Sequence, residues 1–227
     1  MIGVIVPVHN EEEHLSACLN ALLQASCAPS LSSEAVVVVV VLDSCSDSSA
    51  TIARQYGVVT VEAQARSVGA ARALGAAKAI DLGARWLATT DADTVVAPDW
   101  LAVQLSLCSD AVCGTVAVSD WGTYGEQMRQ HYDATYTDAD GHRHIHGANF
   151  GVSTAAYLKA GGFPCLATSE DVALVEALQA QGSSIAWSAA PRVVTSARRT
   201  FRAPLGFGAT LLRVELESQR GGAENDA

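Results

Sequence analysis

One segment limits the possible folds of this chain more than any other: residues 36–42 read Val-Val-Val-Val-Val-Val-Leu, without a polar side chain. An unbroken apolar run of this length is typical of a central strand whose sheet is covered on both faces. With Ala35 it forms the longest apolar run of the chain, Ala35–Leu42, which is far shorter than the ~20 apolar residues that cross a bilayer. The segment therefore predicts an α/β protein built around a mostly parallel central sheet.

The first hundred residues alternate between strand and helix patterns. The predicted strands are Ile2–Val6, Val36–Leu42, Val58–Val61 and Trp86–Thr90. Three helices are predicted between them: the first begins at Glu11 with Asn10 as its cap, the second ends at Gly57, and the third spans Val68–Leu82. This order implies parallel strands with right-handed crossovers. Ligands of such sheets bind beyond the carboxyl ends of the strands, where the polar clusters Pro7–Glu11, Asp43–Asp47 and Asp91–Asp93 fall.

The second half of the chain has weaker patterns. We expect a helix and a strand within Pro98–Val118, a connection over the open face of the sheet at 119–146, and a helix from Ser153. Further predictions are a helix from Ser169 to Gln181, strands Ile185–Ser188 and Arg192–Thr195, a helix near Phe207–Gln219, and a flexible tail at 221–227.

Composition excludes several classes of protein. The formal net charge of −10 makes nucleic acid an unfavourable partner unless a basic patch or a divalent metal intervenes. The six cysteines are scattered without a C-x-x-C pair, and Met1 leads directly into an apolar strand without a basic leader. These features predict reduced thiols, no transmembrane segment and a cytoplasmic protein.

Asp91-Ala92-Asp93 is the most informative short motif. Two carboxylates one residue apart, just past a buried strand, can together engage a divalent ion and the phosphate that it bridges. The alternative is a solvated turn, which the position at a strand end makes less favoured.

Together, six motifs resemble those of the family 2 glycosyltransferases, in the same order along residues 2–190. They are Val4-Ile5-Val6-Pro7-Val8-His9-Asn10-Glu11, Val41-Leu42-Asp43-Ser44-Cys45-Ser46-Asp47, Gly69-Ala70-Ala71-Arg72, Asp91-Ala92-Asp93, Gly161-Gly162-Phe163 and Ser169-Glu170-Asp171. The resemblance implies the GT-A fold and transfer of a sugar from a nucleoside diphosphate, most simply a UDP- or GDP-sugar. It also implies one domain over 1–220, with a nucleotide-sugar-binding half at 1–118 and an acceptor-side half at 119–220.

The resemblance also assigns roles on the donor side. It implies that Pro7, His9 and Glu11 contact the nucleoside, that Asp43 reads the edge of the base, and that Arg72 lies near the nucleotide and diphosphate. Asp91 and Ala92 join this donor site, and Asp93 with Asp91 holds Mn²⁺ or Mg²⁺. A surface arginine and a hydrogen-bonded loop histidine are the alternatives for Arg72 and His9.

On the acceptor side, Asp171 matches the general base of an inverting transfer, with Glu170 as a substitute or a contact to the donor sugar. The alternative is that Ser169, Glu170 and Asp171 only cap a helix. The acceptor itself, a small molecule, a lipid or a glycan, is not specified by the sequence.

Some residues depart from the family pattern. Leu42 replaces the first aspartate of the second-strand motif, and no histidine follows His146 as a further metal ligand. Arg198, Arg199 and Arg202 could instead bind the pyrophosphate, meet anionic lipid at the membrane surface, or form a plain basic patch.

His142, His144 and His146 alternate, and in a strand they would share one face suited to zinc; a loop near the acceptor and solvated side chains are the other interpretations.

Two other functions are compatible with the motifs. A nucleotidyltransferase can share this fold and metal chemistry, although Pro7-Val8-His9-Asn10 lacks the glycines usual in its first loop. A catalytically silent nucleotide-sugar-binding protein is the second, against which the acids at both sites argue.

Overall fold

The computed structural model describes residues 1–119, 121, 124–166 and 168–196. Ten strands and seven helices are defined within these ranges. In chain order they are β1 (Ile2–Val8), α1 (Leu15–Ser26), β2 (Val36–Asp43), α2 (Ser49–Gln55), β3 (Val59–Ala63), α3 (Val68–Asp81), β4 (Trp86–Thr89), β5 (Thr94–Val96), α4 (Trp100–Ser106), β6 (Ala111–Gly114), β7 (Ala117–Val118), α5 (Gly125–Thr135), β8 (Phe150–Ser153), α6 (Thr154–Lys159), α7 (Glu170–Ala180), β9 (Ile185–Ser188) and β10 (Val193–Thr195).

The central sheet has seven strands in the order β3-β2-β1-β4-β8-β6-β9. All of its pairs are parallel except those of β8, which runs antiparallel to both β4 and β6. The chain winds from β1 to one side and then crosses to β4 on the other, so the carboxyl ends of β1 and β4 form a topological switch point, where such sheets have their ligand-binding crevice. The predicted α/β fold with a mostly parallel sheet is confirmed.

The valine run is buried from both sides, as its lack of polar residues requires. Val38 and Val40 belong to a core shared with α1, whereas Val39 and Val41 face a second core shared with α3 and α7. Neighbouring side chains of a strand point to opposite faces, so a strand covered by helices on both sides needs apolar residues at every position.

The predicted start of the first helix is wrong. The helix begins at Leu15, and residues 11–14 form a turn. Asn10 is not its cap: this residue has a left-handed backbone (φ 56°), and its Oδ1 accepts a hydrogen bond from the Ser46 amide at 2.7 Å. The turn keeps Glu11 at the end of β1 instead of carrying it away on a helix.

Other differences are smaller. Short strands β5, β10 and β7 form a separate three-stranded sheet that the sequence did not predict. The connection at 119–146 contains helix α5. Ser169 occupies the cap position of α7 but makes no side-chain cap hydrogen bond. The predicted helix at 207–219, the tail at 221–227 and the three C-terminal arginines lie outside the described residues.

Within the part of the chain that the structure describes, no helix has the length and apolar character needed to cross a bilayer.

Candidate functional site

Three acids follow β1 and β4 and lie within electrostatic range of one thiol on α1. Cys18 on α1 is buried, and its Sγ donates to the Asp91 carbonyl oxygen at 3.5 Å. Burial raises the pKa of this thiol, and the negative charges of Asp93, Asp91 and Glu11 raise it further, in that order. All three acids therefore lie close to one thiol. Glu11 is itself buried, with its amide donating to Ser49 Oγ at 2.8 Å.

Asp93 directly precedes β5, a strand of the three-stranded sheet. The hydroxyl of Thr94 lies 3.5 Å from Asp93 Oδ1 and donates to Thr195 Oγ1 at 2.9 Å. Ala92, between the two aspartates, is buried, so the pair of acids is anchored by an apolar residue at its centre.

Arg72 links the two acidic motifs. Its guanidinium is buried, and it contacts Asp91 Oδ1 through Nη2 at 2.5 Å and Glu170 Oε1 through Nη1. Burial lowers the pKa of Arg72, but the charges of Asp91 and Glu170 outweigh burial and raise the pKa overall. The end of β4 and the start of α7 are thereby held together at one edge of the sheet.

Gly69 explains how Arg72 reaches Glu170. A side chain at residue 69 would lie 2.9 Å from the carbonyl oxygens of Pro164 and Leu166 and 3.0 Å from the Glu170 Cβ. Because Gly69 and Arg72 are one turn apart on α3, the absence of a side chain lets this face approach the start of α7. This contact gives a physical reason for the Gly-Ala-Ala-Arg motif.

The two neighbouring acids at the start of α7 differ in environment. Glu170 is 2% exposed and faces Arg72. Burial raises the pKa of Glu170, and the positive charge of Arg72 opposes that rise. Asp171 is only half-buried, and its carboxylate accepts backbone hydrogen bonds from Gly147 at 2.8 Å and Val172 at 2.9 Å.

Gly147 and Thr89 are site residues that the sequence did not indicate. The Gly147 carbonyl accepts from Thr89 Oγ1 at 2.7 Å, while its amide donates to Asp171. Since β8 is antiparallel, the residues that precede it lie at the edge where the parallel strands end. Gly147 could have been found by searching the residues that precede β8 instead of those that follow it. Such a search requires knowing that β8 is antiparallel, which the sequence does not reveal.

The Asp43 carboxylate holds the backbone of the loop at residues 65–67. Its carboxylate accepts hydrogen bonds from the amides of Ala65, Arg66 and Ser67 at 2.8–3.0 Å and from the Ser44 hydroxyl at 3.1 Å. Burial raises the pKa of Asp43, but these hydrogen bonds prevail and lower it. Asp43 thus fixes the residues that begin α3.

The remaining donor-side residues lie at the carboxyl end of β1. Pro7 is half-buried within β1, and the imidazole Nδ1 of His9 lies 2.6 Å from the Asp43 carbonyl oxygen. The structure therefore brings His9 and Asp43 together, as it does Arg72, Asp91 and Glu170. Asp171 joins them through Gly147.

The three alternating histidines stack instead of sharing a strand face. His142 and His144 have ring centroids 5.4 Å apart, and His144 and His146 5.8 Å apart. Tyr136 stacks on His144 at 4.1 Å, and its hydroxyl lies 3.0 Å from His146 Nε2. Among the described residues no group of three histidine, cysteine or acidic side chains could hold a metal ion. His142 is 3% exposed, so solvation does not describe it.

His146 connects this stack to Asp171. Burial lowers the pKa of His146 to about 4, the charges of His144 and His142 lower it as well, and the negative charge of Asp171 opposes them. The imidazole is therefore neutral near pH 7.

Comparisons with known proteins place this arrangement in context. The family model for glycosyl transferase family 2 matches residues 3–162. No curated protein matches the chain in sequence.

Solved structures with the same fold are distant in sequence. S. aureus TarS 1–349 in complex with UDP is 18% identical with a TM-score of 0.65, over 86% of this chain and 60% of TarS 1–349. The complex of TarS 1–349 with UDP-GlcNAc is 16% identical with a TM-score of 0.69, over 94% of this chain and 65% of TarS 1–349. Mannosyltransferase PcManGT from Pyrobaculum calidifontis, in complex with GDP-Man and Mn²⁺, is 19% identical with a TM-score of 0.65, over 88% of this chain and 57% of PcManGT. This chain thus spans about three fifths of their length, and the predicted GT-A fold is confirmed.

Proposed function

Since this chain belongs to glycosyl transferase family 2, we propose that it transfers a sugar from a nucleoside diphosphate to an acceptor hydroxyl with inversion at the anomeric carbon. One observation carries the proposal: Arg72 contacts both Asp91 and Glu170, so the acids predicted for the donor and for the acceptor meet at one edge of the sheet.

The donor-side acids suit a divalent metal. Asp91 and Asp93 offer hard carboxylate oxygens, and a site with two carboxylates leaves positions for phosphate oxygens, as Mg²⁺ or Mn²⁺ prefers. Arg72 occupies only Oδ1 of Asp91. When bound, the metal would neutralise the charge that develops on the diphosphate leaving group. A net charge of −10 supports this requirement, because the protein itself repels phosphates.

Asp171 is the proposed general base. The acceptor oxygen forms a bond to the anomeric carbon while its proton moves to Asp171, and the bond from that carbon to the diphosphate oxygen breaks. Two backbone amides orient the carboxylate and leave acceptor capacity on both oxygens. Glu170 is paired with Arg72 and 2% exposed, which disfavours it as the base.

The donor is proposed to be a UDP- or GDP-sugar, since the related structures contain UDP, UDP-GlcNAc or GDP-Man. Pro7, His9 and Glu11 would lie against the nucleoside. For Asp43, three loop amides already occupy most of the carboxylate, so any contact with the base would use its remaining lone pair. A cytoplasmic location, an acceptor of small-molecule, lipid or glycan type, and the halves at 1–118 and 119–220 remain predictions.

The test is thermal unfolding with UDP, GDP, CDP, ADP and dTDP, each with Mn²⁺ and with EDTA. At a hundred times its dissociation constant, a ligand stabilises the fold by ~2.7 kcal/mol. We expect UDP or GDP to raise the melting temperature only with Mn²⁺, and Asp93→Ala to remove both this shift and sugar transfer.

Asp81→Ala is the matched control, because Asp81 is exposed at the far end of α3. Normal transfer by Asp93→Ala would contradict the metal role. No shift with any diphosphate would favour a silent protein, and pyrophosphate release from a nucleoside triphosphate would favour a nucleotidyltransferase.

A further inference from the structure

Arg72 has no part of its guanidinium directed to solvent. Nη1 and Nη2 contact Glu170 and Asp91, and Nε is buried with no hydrogen-bond partner among the described residues. The whole residue is 4% exposed. A diphosphate at the surface of the crevice would have to displace both carboxylates before Arg72 could bind it. This environment does not suit a ligand of the donor.

The guanidinium lies directly against the backbone of Gly147. A Cβ at residue 147 would overlap the guanidinium carbon and both terminal nitrogens of Arg72. Gly147 is therefore confined between Arg72 and its hydrogen bonds to Thr89 and Asp171. The position of the amide that orients Asp171 depends on the position of Arg72.

Arg72 also determines which acid of the pair faces outward. Its contact with Glu170 holds the first residue of α7 inward, and the next residue, Asp171, then lies half-exposed beside Gly147. On a helix, fixing the direction of one residue fixes that of its neighbour. One buried arginine thus controls both hydrogen-bonding and direction at Asp171.

We propose that Arg72 is a positioning residue for Asp171, acting through Glu170 and Gly147, and that it does not bind the donor diphosphate. This assignment differs from the expectation that Arg72 lies against the nucleotide. It rests on the proposed function only for the part of the test that uses activity.

The test compares Arg72→Met and the double variant Arg72→Met/Glu170→Gln, in which no buried carboxylate is left unpaired. Arg85→Met is the control, because Arg85 pairs with Glu34 on the surface at the opposite end of β4. Amide hydrogen exchange reports on Gly147 and Val172, the donors to Asp171. Calorimetry with UDP or GDP and Mn²⁺ reports binding, and hydrolysis of UDP-GlcNAc or GDP-mannose reports turnover.

In the double variant we expect the Gly147 amide to exchange about tenfold faster or more, while amides of β2 keep their protection. Binding of UDP or GDP should not weaken. The kcat of hydrolysis should fall about 100-fold with KM unchanged, because a displaced group loses its alignment. Arg72→Lys should recover part of kcat, since it keeps a positive charge near Glu170.

Wild-type protection at Gly147, or diphosphate binding weakened tenfold in the double variant, would overturn the proposal. A wild-type protein that neither binds nor hydrolyses any donor would refute the proposed function, whereas exchange at Gly147 would still decide the role of Arg72. The two failures are therefore distinguishable.

Discussion

At the scale of single residues, Gly147 has little freedom to vary. Its backbone touches a buried guanidinium on one side and donates to Asp171 on the other. We expect Gly147→Ala to lower the free energy of unfolding by about 1–3 kcal/mol, because the added methyl forces a shift in a packed site. The activity of the folded fraction should fall about 100-fold, measured as kcat after correction for folded protein.

Gly3→Ala is the matched control. Its Cβ would lie 2.6 Å from that of Ala79, an overlap near the start of β1 and away from the acids. It should lower stability by a similar amount and leave kcat per folded molecule unchanged. Equal loss of kcat in both variants would contradict a specific role for Gly147.

His146 gives the protein a predictable response to acid. Its pKa falls from an ordinary value near 6.5 in the unfolded chain to about 4 in the fold, because burial disfavours its charged form. Above pH 6.5 the residue carries no penalty; as pH falls from 6.5 to 4 the unfolded state binds a proton first and stability is lost. The loss is at most about 3 kcal/mol.

His146→Gln should remove this part of the pH dependence of the unfolding free energy, measured by denaturant titration between pH 7 and pH 4. His131→Gln, at an exposed position on α5, should behave as wild type. An unchanged slope in His146→Gln would show that other groups cause the acid response.

The sequence singled out the acids of the candidate site, and the structure adds how Asp91, Glu170 and Asp171 are held. Asp91, Asp93 and Asp171 stand out in the sequence because they follow a strand or begin a helix and match ordered motifs of the family. Gly147 carries no such chemical signal, and its role depends on a contact with Arg72 far away in the sequence. A role defined by a backbone amide is not visible in a side-chain pattern.

At the scale of elements, α3 connects the sheet to the site. Gly75 lies against β1 and β2, and a Cβ there would be 2.5 Å from Ile5 Cγ2 and 3.0 Å from Val41 Cγ2. We expect Gly75→Ala to lower the free energy of unfolding by about 1–3 kcal/mol, because it pushes the helix away from the sheet. Since Arg72 is on the same helix, kcat should fall as well.

Ala77→Ser, at an exposed position of α3, is the control and should change neither quantity. Unfolding in denaturant and turnover of the folded fraction provide the two measurements. Wild-type turnover in Gly75→Ala would mean that Arg72 holds its place without close packing of α3.

Sequence patterns located the long elements and several short strands, but not how the short strands pair. The valine run and the α3 pattern repeat often enough to exclude other structures. Strand β10 was expected at Arg192–Thr195, whereas β5 was not, because its three residues form a strand only by pairing with the distant β10. The early start expected for α1 was wrong because Glu11 is held by Ser49 instead of joining the helix.

At the scale of the whole molecule, the sheet topology brings acids from distant parts of the sequence to one edge of the sheet. The switch from β1 to β4 puts Glu11, Asp91 and Asp93 at the same edge of the sheet, where the charge of each acts on Cys18, and antiparallel β8 returns the chain to that edge. Part of the net charge of −10 is therefore concentrated at one edge of the sheet, where the proposed cation and the anionic leaving group would meet.

The hydrogen bonds of Asp43 have a consequence for protein engineering. The carboxylate that is proposed to read the base also holds the loop from which α3 starts, and α3 carries Arg72. A substitution at residue 43 would loosen that loop whatever it did to the base. Under the proposed function, a substitution at residue 43 would therefore change donor choice and catalytic rate together, and a designer who wishes to change only one of them would choose another residue.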